Sequence, residues 1–320
     1  MNKYIGHASQ LYGVDEMILC SGKGKGMKML QVRNGSGLEL MISADRCADI
    51  VKISFKGDNL SYFSPCGYVA PAYYEKDGIS FLKSFTAGFI TTCGLTNVGN
   101  PCVDEGEEFG LHGSVSNTPC DNIYHFIRND EIHICAEIRD ARMFSHNFIL
   151  EREYVIPLFK NEISMTDTVK NIGSTTAPVQ LLYHCNLGYP LLDENTQINI
   201  PSIEVKGRDE YAQAHIEDCL KSQKPEKGYQ EMCFYHKMVD IARVSVYNPT
   251  IKKGLDMIYD TKELGCFTQW KLMGEHDYVM GIEPGNAYPD GRDVMRKNNT
   301  LEMLEPGKER VAHLKFEFRE

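Results

Sequence analysis

Phe148-Ile-Leu-Glu-Arg-Glu-Tyr-Val-Ile-Pro-Leu158 and, four residues on, Ile163-Ser-Met-Thr-Asp-Thr-Val-Lys170 carry the pattern that decides the fold. Large apolar side chains recur at every second position, which sends alternate residues to opposite faces of an extended chain. Lys160-Asn161 between the two runs reads as a turn, so the pair is a hairpin of long strands. The same pattern continues outward in both directions. Ile123 to Arg128 and Ile132 to Ile138 flank Asn129-Asp130, and Leu38 to Ile42 and Asp49 to Phe55 are joined around Asp45-Arg46. Ala242 to Tyr247 turns at Asn248-Pro249 and returns as Leu255 to Tyr259, while Thr300 to Leu304 and Val311 to Phe318 flank Glu305-Pro-Gly-Lys308. One helix is predicted, over Asp209 to Leu220, and Tyr68 to Lys83 is predicted as a long loop whose Tyr73-Tyr74 pair either lines a pocket or covers a core edge. So many strands at short spacing imply an all-β chain: a large β-sandwich, with residues 1–320 as a single domain.

Composition narrows the function. An apolar fraction of 42% and a charged fraction of 24% are those of a globular protein, and no run approaches the roughly 18 apolar residues of a membrane helix. The first residues lack the apolar centre of a secretory signal, which predicts a cytoplasmic location and no membrane partner. Eleven scattered cysteines without a Cys-x-x-Cys pair fit reduced, mostly buried thiols. A net charge of −10 with no basic cluster predicts no nucleic-acid partner and a small, roughly neutral ligand.

The residues suited to chemistry stand at strand ends and in glycine turns. Tyr278-Val-Met-Gly-Ile-Glu283 is an apolar run ending in a carboxylate, followed by Pro284-Gly-Asn286. Proline and glycine there are expected to end pairing and leave Glu283 projecting from the rim of a sheet, as a general base or as an ordinary charged strand end. His112, in Gly110-Leu-His-Gly113, is either aimed at a ligand by its flanking glycines or a surface residue. His184 and Asn186 close the apolar run Leu181 to Asn186 and share one face, pairing a proton donor with an amide as a polyhydroxylated ligand requires. Thr268-Gln269-Trp270-Lys271 sets the single tryptophan between an amide and a cation, a sugar-holding combination if Trp270 is not simply core. No His-x-His or His-Glu-x-x-His pattern suggests a metal, Gly22-Lys-Gly-Lys-Gly26 lacks the ending of a phosphate loop, and no Gly-x-Ser-x-Gly elbow occurs. Neither metal nor cofactor is expected.

Gly110-Leu-His-Gly113, Tyr183-His-Cys-Asn186, Gln269-Trp270 and Gly281-Ile-Glu-Pro284 with Pro289-Asp290 resemble, in that order, the motifs of the aldose 1-epimerase (galactose mutarotase-like) superfamily. Thr91-Thr-Cys-Gly-Leu95 and Gly110-Leu-His-Gly-Ser-Val-Ser-Asn-Thr-Pro119 resemble a divergent, poorly characterised branch of it, and the likeness spans roughly residues 28–318. It implies a β-supersandwich of about thirty strands and cofactor-free interconversion of sugar anomers. By motif, Glu283 corresponds to the general base, His184 to the general acid, and His112 and Gln269 to sugar-binding residues. Ordinary mutarotases carry an Asn-Arg pair, downstream of a Gly-Arg, before the first histidine. Ser84-Phe-Thr-Ala-Gly-Phe-Ile90 has no arginine there, which implies a different sugar, with Arg46 either replacing that cation or pairing at the surface with Asp45 or Asp49.

Ring opening requires the anomeric hydroxyl to lose a proton while the ring oxygen gains one. A glutamate near pKa 4.3 and a histidine near 6.5 must hold opposite protonation states for this, with Glu283 ionised and His184 protonated at rest; partial desolvation would raise the first and a nearby carboxylate the second. A non-catalytic carbohydrate-binding or regulatory protein on the same fold is the competing reading, and a lyase or hydrolase would want a longer cleft or a second carboxylate. The oligomeric state is left open.

Overall fold

The computed structural model describes residues 3–320. The alternating stretch forms two antiparallel strands, Asn147–Pro157 and Glu162–Asn171, inside an eight-stranded sheet that runs from Asn122–Arg128 at one edge to Gln197–Asn199 at the other. Its inward positions are those the period-2 pattern marks. Phe148, Leu150, Tyr154 and Ile156 are buried on one strand, and Ile163, Met165 and Val169 on the next.

A six-stranded sheet lies against this one, in the order Ser202–Gly207, Met232–Met238, Cys266–Met273, Tyr278–Gly285, Gln180–Leu187, Ile90–Leu95. All eight residues of Gln180–Leu187 are buried, because one face of the strand meets the core and the other lies under the site described below. A five-stranded meander from Gly13–Ile18 to Asp58–Asn59 completes the layers. One hydrophobic cluster, from Leu30 to Phe318, draws members from all three sheets. Twenty-three strands are present among the described residues, fewer than the thirty or so that the resemblance implied.

A polar lock joins the sheets inside that core. Arg152 occupies an inward position of the Asn147–Pro157 strand and grips Asp167 on the next with Nε at 2.8 Å and Nη2 at 2.6 Å. Nη1 reaches Asp49 of the meander at 2.7 Å, and Nη2 reaches Thr92 of the six-stranded sheet at 2.8 Å. Thr92 donates back to Asp49, and Tyr183 donates to Asp167 at 2.8 Å. Two carboxylates facing one bidentate guanidinium satisfy the charges that burial would otherwise make costly.

The predicted helix forms only over Glu210–Ala214, followed by a 3-10 turn at Ile216–Asp218. Asp209 caps it by accepting from the Ala212 amide at 2.8 Å, and its few apolar positions give the rest nothing to bury. A second helix, Arg292–Lys297, lies in a stretch without that pattern. The long loop holds 3-10 turns at Pro71–Tyr73 and Ser80–Lys83. Among the described residues no helix is long and apolar enough to cross a membrane.

Candidate active site

Register builds the floor of the site. Between the Gln180–Leu187 and Tyr278–Gly285 strands, Cys185 pairs with Ile282 and Leu182 with Gly285, which sets His184 opposite Glu283. On the far sides Glu283 pairs with Thr268, and His184 with Thr91. Directly opposite residues share a face of an antiparallel sheet, so Thr268, Glu283 and His184 form a row. His184 Nε2 and Glu283 Oε1 are 3.3 Å apart. Pro284 and Gly285 do not end the strand as expected, since Pro284 still pairs opposite Phe267 and Gly285 opposite Cys266. Glu283 is therefore central in the sheet and only 2% exposed, rather than standing at its rim.

Gly281, two residues before Glu283 on the same face, leaves the space the carboxyl group occupies. A Cβ there would lie 2.2 Å from Glu283 Oε1. Trp270 pairs opposite Gly281 and packs edge-on to His184, with ring centroids 5.3 Å apart.

His112 enters from a loop above the floor. Its backbone is left-handed (φ 59°), and it is flanked by Gly113, where a Cβ would meet the Gly94 carbonyl at 2.4 Å. The strained turn is fixed from several sides: Tyr74 donates to the Gly113 carbonyl at 3.0 Å, and the His112 amide donates to Gly99 at 2.9 Å. The Gly99 amide donates in return to His112 Nδ1 at 3.3 Å. With Nδ1 accepting, the neutral ring carries its proton on Nε2. Its ring lies edge-on to that of His184, 5.6 Å away.

Burial sets the protonation of all three groups. Glu283 is pushed well above the ordinary carboxylate range by burial, and the opposing pull of Arg208 does not offset it. Burial takes His184 down to about 3, helped by His112, and His112 down to about 4. Both directions favour the uncharged forms, a carboxylic acid beside a neutral imidazole, the reverse of the ionised glutamate and protonated histidine expected from the sequence. Glu283 Oε1, His184 Nδ1 and the Thr268 hydroxyl have no hydrogen-bond partner among the described residues. Such buried groups remain able to hydrogen-bond a polar molecule in the cavity.

His112, His184, Trp270 and Glu283 line one cavity of about 270 Å³. The other expected ligand residues do not. Gln269 and Lys271 alternate with Trp270 and point to the opposite face. There the Gln269 amide donates to the Cys219 carbonyl at 2.7 Å, and the Lys271 ammonium donates to the Asp218 carbonyl at the same distance. Asn186 is fully buried and donates at 2.8 Å to the His184 carbonyl, so it steadies the histidine instead of lining the cavity. Arg46 is neither a ligand group nor a surface residue. It is 3% exposed and donates to the Val69 and Ser84 carbonyls, pinning the ends of the long loop.

A cation from another part of the chain also lines the cavity. Arg208, just past the Ser202–Gly207 strand, lines the cavity and pairs with Glu231 at 3.1 Å, while Trp270 Nε1 donates to the same carboxylate at 3.1 Å. Neither Arg208 nor Glu231 carries a local signal, because the sheet brings together segments more than twenty residues apart. A larger groove of about 670 Å³, near Gln31, Lys52 and Tyr189, holds none of this machinery.

A family model described as "Domain of unknown function (DUF4432)" matches residues 24–318. No curated protein matches the sequence. Among solved structures, a protein from Klebsiella pneumoniae described as a candidate aldose 1-epimerase superposes with a TM-score of 0.90 at 24% identity, covering 98% of this chain and 86% of that one. A galactose mutarotase-like protein from Clostridium acetobutylicum gives a TM-score of 0.67 at 16% identity, over 97% of this chain and 99% of its own. The galactose 1-epimerase of Lactobacillus acidophilus gives 0.62 at 11% identity, over 96% and 99%. The fold is the galactose mutarotase-like β-sandwich.

Proposed function

We propose, from the premise that the chain belongs to the family described as "Domain of unknown function (DUF4432)", that it is an aldose 1-epimerase in which Glu283 and His184 exchange protons with one sugar ring. The observation that carries this reading is the cross-strand pair itself: Nε2 and Oε1 lie 3.3 Å apart on a cavity floor, and each side chain has a buried polar atom without a partner. A protonated carboxyl group has a proton to give and a neutral imidazole has one ring nitrogen free to take one, which is what the chemistry needs.

With an aldose bound over the row, Glu283 gives its proton to the ring oxygen while His184 Nε2 takes the anomeric hydroxyl proton. The C1–O5 bond breaks and C1 becomes an aldehyde. This leaves a carboxylate beside an imidazolium, so ring opening creates no net charge in the buried site, and the two new charges stabilise one another. After rotation about C1–C2 the protons return and O5 closes on the other face. Since closure is the reverse of opening, either group serves as acid or base according to which oxygen it faces.

His112 offers Nε2–H to a sugar oxygen, and Arg208 and Glu231 present a donor and an acceptor at one end of the cavity. The small-molecule partner under this reading is a monosaccharide, which suits a cavity of about 270 Å³. The test is NMR saturation exchange between the anomers of a panel of aldoses. Glu283→Gln should slow exchange on the order of 10²-fold or more with sugar affinity little changed. Exchange at the wild-type rate in that variant, for every sugar that binds, would replace the enzyme by a sugar-binding protein.

A further inference from the structure

The wall facing the floor is chemically unlike it. Four side chains from one short segment, Ile79, Phe81, Leu82 and Phe85, line the cavity, and none has a polar atom. The backbone carbonyls of these four residues are already hydrogen-bonded within the protein. Ile79 O accepts from the Leu82 amide at 3.0 Å and Phe81 O from the Ser84 amide at 3.0 Å. Leu82 O accepts from Cys66 Sγ at 3.2 Å and Phe85 O from Ser64 Oγ at 2.5 Å. Phe85 packs edge-on to His184 at 5.3 Å and Phe81 lies 5.5 Å from His112, so this wall begins where the reacting groups end. Ile79 and Leu82 are 65% and 51% exposed, large apolar side chains held at the mouth of a pocket.

A hydroxyl pressed against that wall would lose its water and gain no partner, at a cost of roughly 1–3 kcal/mol. A methyl group there would gain burial. In an aldopyranose the exocyclic C6 is the carbon that projects beyond the ring, and it is attached next to the ring oxygen that must reach the acid–base pair. We propose that the substrate is a 6-deoxyaldose, whose C6 methyl group seats against Phe81, Leu82 and Phe85. This rests on the epimerase reading of the same cavity.

The test uses sugar pairs that differ only at C6, methyl against hydroxymethyl, in the gluco, galacto and manno series and both enantiomers. Affinity is measured by calorimetry on the Glu283→Gln protein and kcat/KM by anomer exchange on the wild type. The 6-deoxy member of the accepted series should exceed its parent by about tenfold or more in both measurements, the scale on which an apolar pocket rejects an added hydroxyl. Leu82→Asn, and separately Ile79→Asn, should bring that ratio towards one; both positions are exposed, so the fold tolerates the change. A parent hexose that equals or beats its 6-deoxy partner overturns the proposal, as does a preference that survives both substitutions. A 6-deoxy preference in binding without anomer exchange would leave the ligand class standing and remove the epimerase reading. Failure of every pair to bind removes both.

Discussion

Arg152 and Glu283 are each 2% exposed, yet the molecule treats them in opposite ways. The guanidinium of Arg152 donates to Asp167, Asp49, Thr92 and the Cys47 carbonyl, and the carboxylates it meets are themselves hydrogen-bonded by Thr92 and Tyr183. Glu283 has a histidine at 3.3 Å and no hydrogen-bond partner on Oε1 among the described residues. Burial raises the pKa of Asp49 too, but Arg152 and Thr92 oppose it, whereas Glu283 is raised well above its ordinary value with only Arg208 opposing. Buried polar groups that are complete hold sheets together; those left incomplete are available to a substrate.

The sharpest way to break this contrast is to empty the lock. Arg152→Met leaves Asp49 and Asp167 buried without their cation and should cost about 3–5 kcal/mol in equilibrium urea unfolding; a loss below about 1 kcal/mol would show that the network is not what joins the sheets. Glu283→Gln should do the reverse, leaving stability at neutral pH undiminished or raised while abolishing most anomer exchange. Gly281→Ala tests position without altering the acid. Its Cβ claims space 2.2 Å from Oε1, so exchange should fall by roughly ten- to a hundredfold with unchanged sugar affinity.

Protonation gives a subtler discriminator. With His112 and His184 held at about 4 and 3, kcat/KM should lack the inflection near 6.5 that an ordinary histidine would give. Stability carries the same information with a definite sign. The unfolded chain protonates His112 and His184 below about 6.5 while the fold resists until about 4 and 3, so their contribution is lost as pH falls through that window. Glu283 acts oppositely: its folded value is raised, so its contribution is present in acid and lost as pH climbs above the ordinary carboxylate range. Against wild type, His184→Asn should therefore gain stability as pH falls and Glu283→Gln as pH rises, read by urea unfolding at stepped pH. The smallest expected effect is none: Lys271→Met, on the far face, should leave sugar affinity unchanged.

The sheets were legible because period-2 patterning is written locally, and it even marks Arg152 and Asp167 as inward positions. The catalytic candidates were legible as motifs. Adjacency misled at Gln269 and Lys271, though the alternation that exposes Trp270 to the cavity already turns its neighbours away. Arg208, Glu231 and the apolar wall were not legible, since their meeting depends on strand order and on a loop folding back over the sheet. The protonation states were hidden for a related reason. Ordinary pKa values belong to solvated groups, and the depth of Glu283 appears only once Pro284 is seen to sit inside a paired strand.

The bare Cα at Gly281 also offers a filter for sorting relatives. A chain that aligns a glutamate with Glu283 but places a side chain two residues earlier must move that carboxyl group from its place here. Under the epimerase reading such a chain would keep the barcode of the site with its instrument displaced, and that one position marks it before any protein is made.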